Sequence, residues 1–279
     1  MAPDRPVNIT DAEGDVYILS FPKCGRTWLR VLMAKVVSAS REIPMEVCRD
    51  LNLPEFSKAD PTVPRIVFWH DDRVPWRTPA ELSWDKGFYH DRKVVLLLRD
   101  IRDTAVSRYF QQSRRPDHPY TGGLGDFLTE ERGSVKSCLA FWNIWHSRQD
   151  VPASFLLTSY ERLAADTAGE LARVLDFCGL PPADEETLRT AVGFAGFTSM
   201  RAMEVSDALD TFRLRPGVPG DPESFKTRRG VVGGFRDYLT DEQTAYVTGL
   251  VHRLLAPQWH PAALAADTPR HRAGPSTPA

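Results

Sequence analysis

The sequence predicts an α/β fold in which helices flank a central parallel sheet. Short apolar segments with the composition of buried strands alternate along the chain with segments of helical periodicity, which is typical of parallel sheets. The uniformly aliphatic segment Lys93–Leu98 indicates a strand that is covered on both faces. The first strand leads through a glycine-containing turn into a helix, the order by which P-loop NTPase-like folds hold phosphate groups.

The strands and helices can be assigned one by one. Apolar, β-branched and aromatic residues predict strands at Asp15–Phe21, Arg65–Trp69, Lys93–Leu98 and Phe155–Ser159. Helical spacing of apolar residues predicts helices at Thr27–Ser38, Thr104–Ser113, Leu139–Arg148, Ala168–Gly179 and Thr240–Leu255. Thr240 is a suitable N-terminal cap, and Gly179-Leu180-Pro181 is a regular stop signal.

The composition is that of a globular protein and excludes several functional classes. Of the 279 residues, 42% are hydrophobic and 26% are charged, which suits a folded domain. The formal net charge of −2 argues against a nucleic-acid partner. The four cysteines are scattered and form no Cys-x-x-Cys pair, so neither a zinc site nor a disulfide framework is expected.

The chain is predicted to be one domain, 1–264, in the cytoplasm. No apolar run reaches the length that spans a membrane, and residues 1–14 lack the apolar core of a signal peptide. Residues 207–227 are rich in Pro, Gly and charge, which predicts a mobile surface loop. A Pro- and Thr-rich tail, 265–279, is predicted to be disordered. Nothing in the sequence indicates an oligomeric state.

The turn after the first strand has the chemistry of an anion-binding loop. A helix N-terminus offers unpaired backbone N–H groups and the positive end of the helix dipole. Gly25 lets the backbone approach an anion closely. Lys23 and Arg26 add cations to this loop, and Thr27 adds a hydroxyl donor. Taken alone, the motif is also compatible with an ordinary strand-to-helix turn whose cations are solvated.

This loop differs from the ATP-binding pattern G-x-x-x-x-G-K-[ST], in which Lys directly precedes the Ser or Thr. Here Arg26 precedes Thr27, and Lys23 lies four residues before it. No clear strand-terminal Asp completes the magnesium site that ATP-hydrolysing enzymes build. The sequence therefore favours an anion other than ATP.

A second cationic group follows the third predicted strand. Arg99 ends this strand, at the edge of the sheet where α/β proteins bind ligands, and Ser107 lies on the next helix. Residues 99–115 include five Arg and two Asp. We interpret this group as a second ligand anchor, for which a solvated, arginine-rich helix face is the alternative.

A third cationic group lies in a glycine-rich run near the end of the domain. Residues 226–236 include four cations and no acid. Arg228 and Arg229 suit bidentate phosphate contacts, and Gly230 frees its amide to bind an oxygen. A solvated basic loop is the alternative here.

Over residues 16–240, these motifs resemble those of the cytosolic type of sulfotransferase, which uses 3′-phosphoadenosine 5′-phosphosulfate (PAPS). The resemblance implies that PAPS is the co-substrate and that the first loop holds its 5′-phosphosulfate. Tyr160, which follows the fourth strand, and Phe197 and Met200 match residues near adenine. The full set of matching donor-binding positions is Lys23, Cys24, Gly25, Arg26, Thr27, Trp28, Arg99, Ser107, Tyr160, Phe197, Met200, Arg228, Arg229 and Gly230.

The sequence departs from the family pattern at several positions. Cys24 stands where a small residue such as Ser is usual, and Gly234 stands where many members carry Asp. Ala195 and Gly196 precede Phe197 in place of hydroxyl residues. The last helix lacks the Lys-Thr-Val dimer motif of animal relatives. We therefore expect adenine recognition to differ in detail.

The resemblance implies an in-line transfer of sulfonate to an acceptor, for which no metal is required. Lys23 is the predicted cation at the leaving phosphate oxygen. His70 is the predicted base, because it follows the second strand and its ordinary pKa suits proton removal near neutrality. Animal members carry Lys two positions before this His, where the chain has Phe68. Asp71 or Asp72 is a candidate to share the role or to orient the imidazole.

The acceptor is predicted to be a small molecule bound between residues 40 and 90 and the 207–227 loop. Aromatic residues in this region either line a pocket for an aromatic or lipophilic acceptor or belong to the core; they are Trp69, Trp76, Trp84, Phe88 and Tyr89. Two rival functions are a P-loop small-molecule or nucleotide kinase, and an inactive protein that binds PAPS or its product 3′-phosphoadenosine 5′-phosphate (PAP).

Overall fold

A computed structural model of the chain describes residues 13–115 and 120–259. Four strands form one parallel sheet in the order β2-β1-β3-β4. The strands are β1 (Val16–Leu19), β2 (Ile66–Trp69), β3 (Lys93–Leu98) and β4 (Ser154–Ser159). The helices of the described ranges are α1 (Arg26–Ser40), α2 (Pro54–Ala59), α3 (Ile101–Arg114), α4 (Leu124–Thr129), α5 (Val135–Ser147), α6 (Tyr160–Ala165), α7 (Thr167–Cys178), α8 (Glu185–Phe194), α9 (Phe197–Ser206) and α10 (Asp241–Leu254).

The inner strands of the sheet lie in the core. Every residue of β1 is buried, and so is every residue of β3 after Lys93. Because successive strand residues point to opposite faces, both faces of these strands are covered. The predicted two-sided burial of Lys93–Leu98 is therefore confirmed, as is the parallel α/β class.

The predicted elements are found with small shifts of their bounds. All four predicted strands and all five predicted helices are present. Thr240 caps α10, because its hydroxyl accepts a bond from the N–H of Gln243 at 3.2 Å. Gly179 ends α7 in the left-handed conformation, with φ 82°. The helices α2, α4, α6, α8 and α9 were not predicted.

The strand register brings the residues after each strand to one edge of the sheet. Leu19 pairs with Trp69 of β2 and Leu96 of β3, and Leu98 pairs with Ser159 of β4. The carboxyl ends of all four strands therefore lie together. These ends are followed directly by the loop after β1 and, at the other three strands, by His70, Arg99 and Tyr160.

Residues 207–227 connect α9 to the glycine-rich run in short turns of 3-10 helix, Phe212–Leu214 and Pro222–Ser224. Leu214 and Ser224 are buried. The predicted mobility of this segment stays a prediction, and the predicted tail, 265–279, lies outside the described residues.

Two further features are lacking from the part of the chain that the structure describes. None of its helices combines the length and apolar character that crossing a membrane requires. The described side chains also include no group of three or more His, Cys, Asp or Glu that could hold a metal ion.

A buried polar network fixes the chain immediately after His70. The Asp71 carboxylate accepts hydrogen bonds from the Tyr89 hydroxyl at 2.9 Å and from Trp145 Nε1 at 3.1 Å. It also forms an ion pair with Lys86 at 2.7 Å, and Lys86 is only 3% exposed. The network ties the end of β2 to α5 and so sets the position of His70.

We expect Asp71→Ala to reduce the free energy of unfolding by about 3–5 kcal/mol, because it leaves a buried ammonium group without its partner. Urea denaturation measures this change. The exposed Asp150→Ala serves as the control and should stay within about 0.5 kcal/mol of the parent protein. A loss below about 1 kcal/mol in Asp71→Ala would contradict the structural role of the network.

Candidate active site

A cavity of about 370 Å³ lies at the carboxyl edge of the sheet. Of the predicted site residues, those that line it are Lys23, Gly25, Arg26, Thr27, Trp28, His70, Arg99, Ser107, Tyr160, Phe197, Met200, Arg228, Arg229 and Gly230. Lining residues that sequence reasoning did not assign to the site are Pro22, Gln111, Ala164, Thr167, Ala195, Lys226 and Thr227. The structure thus brings together cations from three separate parts of the sequence.

The loop between β1 and α1 packs tightly against Tyr160. Gly25 has φ +97°, and a Cβ atom placed on it would lie 2.6 Å from Cδ2 of Tyr160. Lys23 also adopts a positive φ, 73°, which is strained for a residue with a side chain. The rings of Trp28 and Tyr160 lie 5.4 Å apart. Only glycine fits at position 25, for both conformational and steric reasons.

Among the residues predicted to bind the donor, Cys24 alone is absent from the lining of the cavity. Its thiol is fully buried, 3.9 Å from the hydroxyl of Thr104. Burial raises the pKa of this thiol to about 12. A contact from Cys24 to a ligand in the cavity would therefore have to come from its backbone.

Arg99 connects the loop after β1 with the glycine-rich run. One of its terminal nitrogen atoms donates to the carbonyl of Lys23 at 3.2 Å, and the other donates to the carbonyl of Val231, also at 3.2 Å. The guanidinium lies over the ring of Tyr160, 4.2 Å from its centre, and 3.8 Å from the carboxylate of Asp103. Its Nε atom is buried without a hydrogen-bond partner.

Two buried carboxylates hold the glycine-rich run in place. Glu204 of α9 is fully buried and accepts bonds from the backbone N–H groups of residues 226 and 227, at 2.6 and 2.8 Å. Asp103 of α3 accepts bonds from the backbone N–H groups of residues 233 and 235, at 2.7 and 2.8 Å. Sequence reasoning missed both carboxylates, because neither lies in a motif that marks it as an anchor.

The arginines of this run are partly paired in the free protein. Arg228 donates to the carboxylate of Glu223 at 3.0 Å and to the hydroxyl of Tyr238 at 2.6 Å, while its Nε is buried without a partner. Arg229 is more exposed and forms an ion pair with Asp237. Both arginines line the cavity.

Gly230 and Phe197 form a close contact at the mouth of the cavity. Gly230 has φ +66°, and a Cβ atom there would lie 2.4 Å from Cδ2 of Phe197. The Phe197 ring is 45% exposed, whereas Met200, one turn later on α9, is buried beside the cavity. An exposed aromatic ring next to a cavity is a suitable surface for a flat ligand group to stack on.

Two lysines share the cavity, and both have a lowered pKa. Burial, followed by repulsion from Lys226 and Arg115, lowers the pKa of Lys23 well below its usual range. Burial and then Arg115 lower the pKa of Lys226 to about 7, although Glu204 opposes this shift. The site is therefore short of negative charge, and a bound anion would favour the protonated form of both amines.

His70 is held as a neutral imidazole. Its Nδ1 lies 2.9 Å from the carbonyl oxygen of Ser20. Because a carbonyl can only accept, Nδ1 carries the proton and Nε2 keeps its lone pair, which faces the guanidinium of Arg26. Burial and then Arg26 lower the pKa of His70 well below its usual range. The Asp71 and Asp72 carboxylates bond to other residues, so neither orients the imidazole ring of His70.

The aromatic residues predicted for an acceptor pocket do not line the described cavity. Phe88 and Tyr89 pack edge-to-face on Tyr17, with ring centres 5.5 and 5.4 Å away, so they belong to the core. Trp76 and Trp84 are 50% and 53% exposed.

A family model described as a sulfotransferase domain matches residues 13–257. The chain belongs to the sulfotransferase family. Sulfotransferase 2B1 of Mus musculus is 26% identical over 245 residues, which cover 83% of this chain and 68% of the relative. Cytosolic sulfotransferase 10 of Arabidopsis thaliana is 22% identical over 277 residues, which cover 87% of this chain and 78% of the relative.

Solved sulfotransferase structures share the fold. Mouse sulfotransferase SULT7A1 complexed with PAP matches with a TM-score of 0.59 and 19% identity, over 86% of this chain and 84% of that one. Retinol dehydratase in complex with androsterone and the inactive cofactor PAP matches with a TM-score of 0.58 and 18% identity, over 87% and 81% of the two chains. The predicted P-loop NTPase-like fold and the predicted family activity, PAPS-dependent sulfonate transfer, are thus confirmed for this sulfotransferase.

We expect Gly25→Ala to destabilise the sulfotransferase more than Gly220→Ala, by about 1–3 kcal/mol in the free energy of unfolding. Both glycines have a positive φ, but only at Gly25 would the added methyl group meet another side chain, that of Tyr160. Gly220 is therefore the control for backbone strain alone. Equal losses in the two variants, measured by urea denaturation, would show that the contact with Tyr160 is unimportant.

Proposed function

We propose that this sulfotransferase binds PAPS in the cavity at the carboxyl edge of its sheet. We further propose that it transfers the sulfonate by in-line displacement to a hydroxyl or amine of a small molecule. One observation carries the proposal: cations that are distant in sequence, Lys23, Arg99 and Arg228, line one cavity. The buried Nε atoms of the two arginines lack hydrogen-bond partners.

The cavity has the donors that the two ends of PAPS require. The loop after β1 offers the backbone N–H groups at the start of α1, with Lys23 and Thr27 beside them, for the 5′-phosphosulfate. The lining residues that we assign to the 3′-phosphate are Arg99, Ser107, Arg228, Arg229 and Gly230. The lining residues that we assign to adenine are Trp28, Tyr160, Phe197 and Met200.

The chemistry divides between cations and one base. PAPS supplies a sulfonate that is already activated by its bond to a phosphate. Lys23 is placed to neutralise the charge that develops on the leaving phosphate oxygen, and Lys226, which sequence reasoning did not single out, adds a second cation. His70 accepts the acceptor's proton at Nε2 once the Arg26 guanidinium has turned away from that atom.

Two aspects of the function come from relatives and are inferred for this chain. Two similar proteins from Arabidopsis thaliana are named cytosolic sulfotransferases, and we infer a cytoplasmic location for this chain. Solved structures that share the fold hold androsterone or retinol, and we infer a small-molecule acceptor for this enzyme as well.

One experiment tests the proposal against its rivals. The protein is incubated with sulfonate-labelled donor and a mixture of small phenols and alcohols, with and without EDTA, while calorimetry measures PAP binding. Transfer that resists EDTA, together with PAP binding, supports the proposal. ATP turnover that EDTA abolishes, without PAP binding, would favour a kinase. PAP binding without any transfer would favour an inactive binding protein.

We expect His70→Ala to lower turnover about a hundredfold or more, because the base that accepts the acceptor's proton is lost. The affinity for PAP should stay within a few-fold of the parent value. The exposed His90→Ala provides a control for the loss of an imidazole elsewhere. Turnover near the parent value in His70→Ala would remove His70 from the mechanism.

We expect the affinity for PAP to fall as the pH rises from about 7 to 9. Free Lys226 has a pKa of about 7, and that of Lys23 is also lowered. A bound phosphate group raises both values, so binding takes up protons above pH 7, whereas below this pH Lys226 is already charged. Phosphate groups, whose second pKa is about 6, change their charge little over the tested range.

Calorimetry in buffers of different ionisation enthalpy measures the proton uptake directly. Lys226→Met should reduce the uptake, while the exposed Lys58→Met should leave it unchanged. Proton release, or no uptake at pH 8, would show that these amines do not contact the nucleotide.

A further inference from the structure

Arg30 is a buried cation whose charge no neighbouring carboxylate balances. It lies one turn after Arg26 on α1 and is only 6% exposed. Its guanidinium stacks on the ring of Phe68, 4.6 Å from the ring centre, and its Nε is buried without a hydrogen-bond partner. Within the described part of the chain, it forms no ion pair. Such a group is unfavourable in a protein interior unless a ligand supplies the missing charge.

Two other guanidinium groups lie close to Arg30. Nη1 of Arg26 is also buried without a partner. Burial, and then repulsion by Arg213, lower the pKa of Arg26 to about 9 and that of Arg30 well below its usual range. Arg213 is fixed by a bond of 2.7 Å from its Nε to the carbonyl of Asp50. We call Arg26, Arg30 and Arg213 the arginine cluster.

The arginine cluster extends from the donor cavity towards the region predicted for the acceptor. Arg26 lines the donor cavity, whereas Arg30 and Arg213 do not, so the donor does not account for them. The cluster is bounded by Phe68 of β2 and by the turns Arg49–Leu51 and Phe212–Leu214, which contact each other. These segments lie within residues 40–90 and 207–227, from which the acceptor site was predicted.

The cluster is also close to the proposed base. The charges of Arg26 and Arg30 both act on the imidazole of His70. A molecule that places an anionic group on the cluster can therefore bring a second group to Nε2 of the same histidine. One small acceptor can satisfy both contacts only if it is bifunctional.

We propose that the arginine cluster binds an anionic group of the acceptor, a carboxylate or a phosphate, and that the acceptor is thus a hydroxy acid or its amine counterpart. This inference rests on the proposed sulfonate transfer and names its substrate class. An anion on the cluster also gives the Arg26 guanidinium a new partner, so that it can leave Nε2 of His70. An acidic acceptor would thus free Nε2 of His70, the base that accepts the proton of the acceptor's hydroxyl or amine.

A panel of matched acceptors tests the proposal on the full chain loaded with PAP or PAPS. It consists of 4-hydroxyphenyl alkanoic acids with one to three methylene groups, the primary amide of each acid, and the corresponding phosphonates. Binding is followed by thermal shift with PAP present, and kcat/KM by transfer from labelled PAPS. We expect at least one acid or phosphonate to bind, and to react, about tenfold or more better than its amide. The acid and phosphonate arms distinguish a carboxylate from a phosphate ligand.

Variants connect any such preference to the cluster. Arg30→Met should reduce the preference for acids over amides to about threefold or less, and Arg30→Lys should retain part of this preference. Arg213 lies on a partly exposed turn, and Arg213→Gln should also weaken the preference for acids over amides. This variant is the test of the proposal if Arg30→Met fails to fold. Arg189→Met, which removes an exposed arginine of α8, is the matched control and should leave the preference unchanged.

Thermal stability separates a ligand-binding arginine from a structural one. Because Arg30 is buried without a counter-charge, Arg30→Met should raise the Tm of the free protein, by about 2 °C or more. Equal binding of acids and amides, or a preference that persists in both Arg30→Met and Arg213→Gln, would overturn the proposal. If the protein then still binds PAP and transfers sulfonate to neutral phenols, the proposed function stands. If the parent protein does not bind PAP, the proposed function itself is wrong.

Discussion

The position of Arg99 is the constraint on which the rest of the site depends. Its guanidinium donates to carbonyl groups in the loop after β1 and in the glycine-rich run, and it stacks on Tyr160 at the end of β4. Three segments that are distant in sequence therefore share one planar group. A lysine ammonium, which has neither the fork geometry nor the flat face, could not make all three contacts. Arg99 thus helps to shape the cavity, and its Nε stays available to a ligand.

The carboxylates around the cavity help explain why so much positive charge is tolerated there. Glu204 and Asp103 fix the glycine-rich run by accepting bonds from its backbone N–H groups, and their negative charges offset part of the positive charge at the cavity. This compensation is incomplete, because burial, and then repulsion by neighbouring cations, still lower the pKa values of Lys23 and Lys226. Stability is lower than it would be with paired charges, and the anionic donor that we propose for the cavity would supply the missing negative charge.

Sequence reasoning succeeded where local pattern and strand topology were sufficient. The strand Lys93–Leu98 was predicted with its observed bounds. Lys23, His70 and Arg99 line the same cavity because each follows a strand of one parallel sheet, whereas their roles stay predictions. Helices α8 and α9 were missed; Gly193 lies in the last turn of α8, and Gly196 is the N-terminal cap of α9. The roles of Lys226, Glu204 and Arg30 depend on burial and on partners far along the chain, which no local spacing reveals.

The environment of Cys24 has a consequence for the chemical durability of the enzyme. Peroxides and alkylating agents attack the thiolate form of cysteine, and a thiol whose pKa is about 12 forms almost none of it at neutral pH. The sulfur is also fully enclosed, beside the hydroxyl of Thr104. The enzyme can therefore carry a cysteine in the middle of the loop that we propose to bind nucleotide, without this thiol becoming sensitive to oxidants.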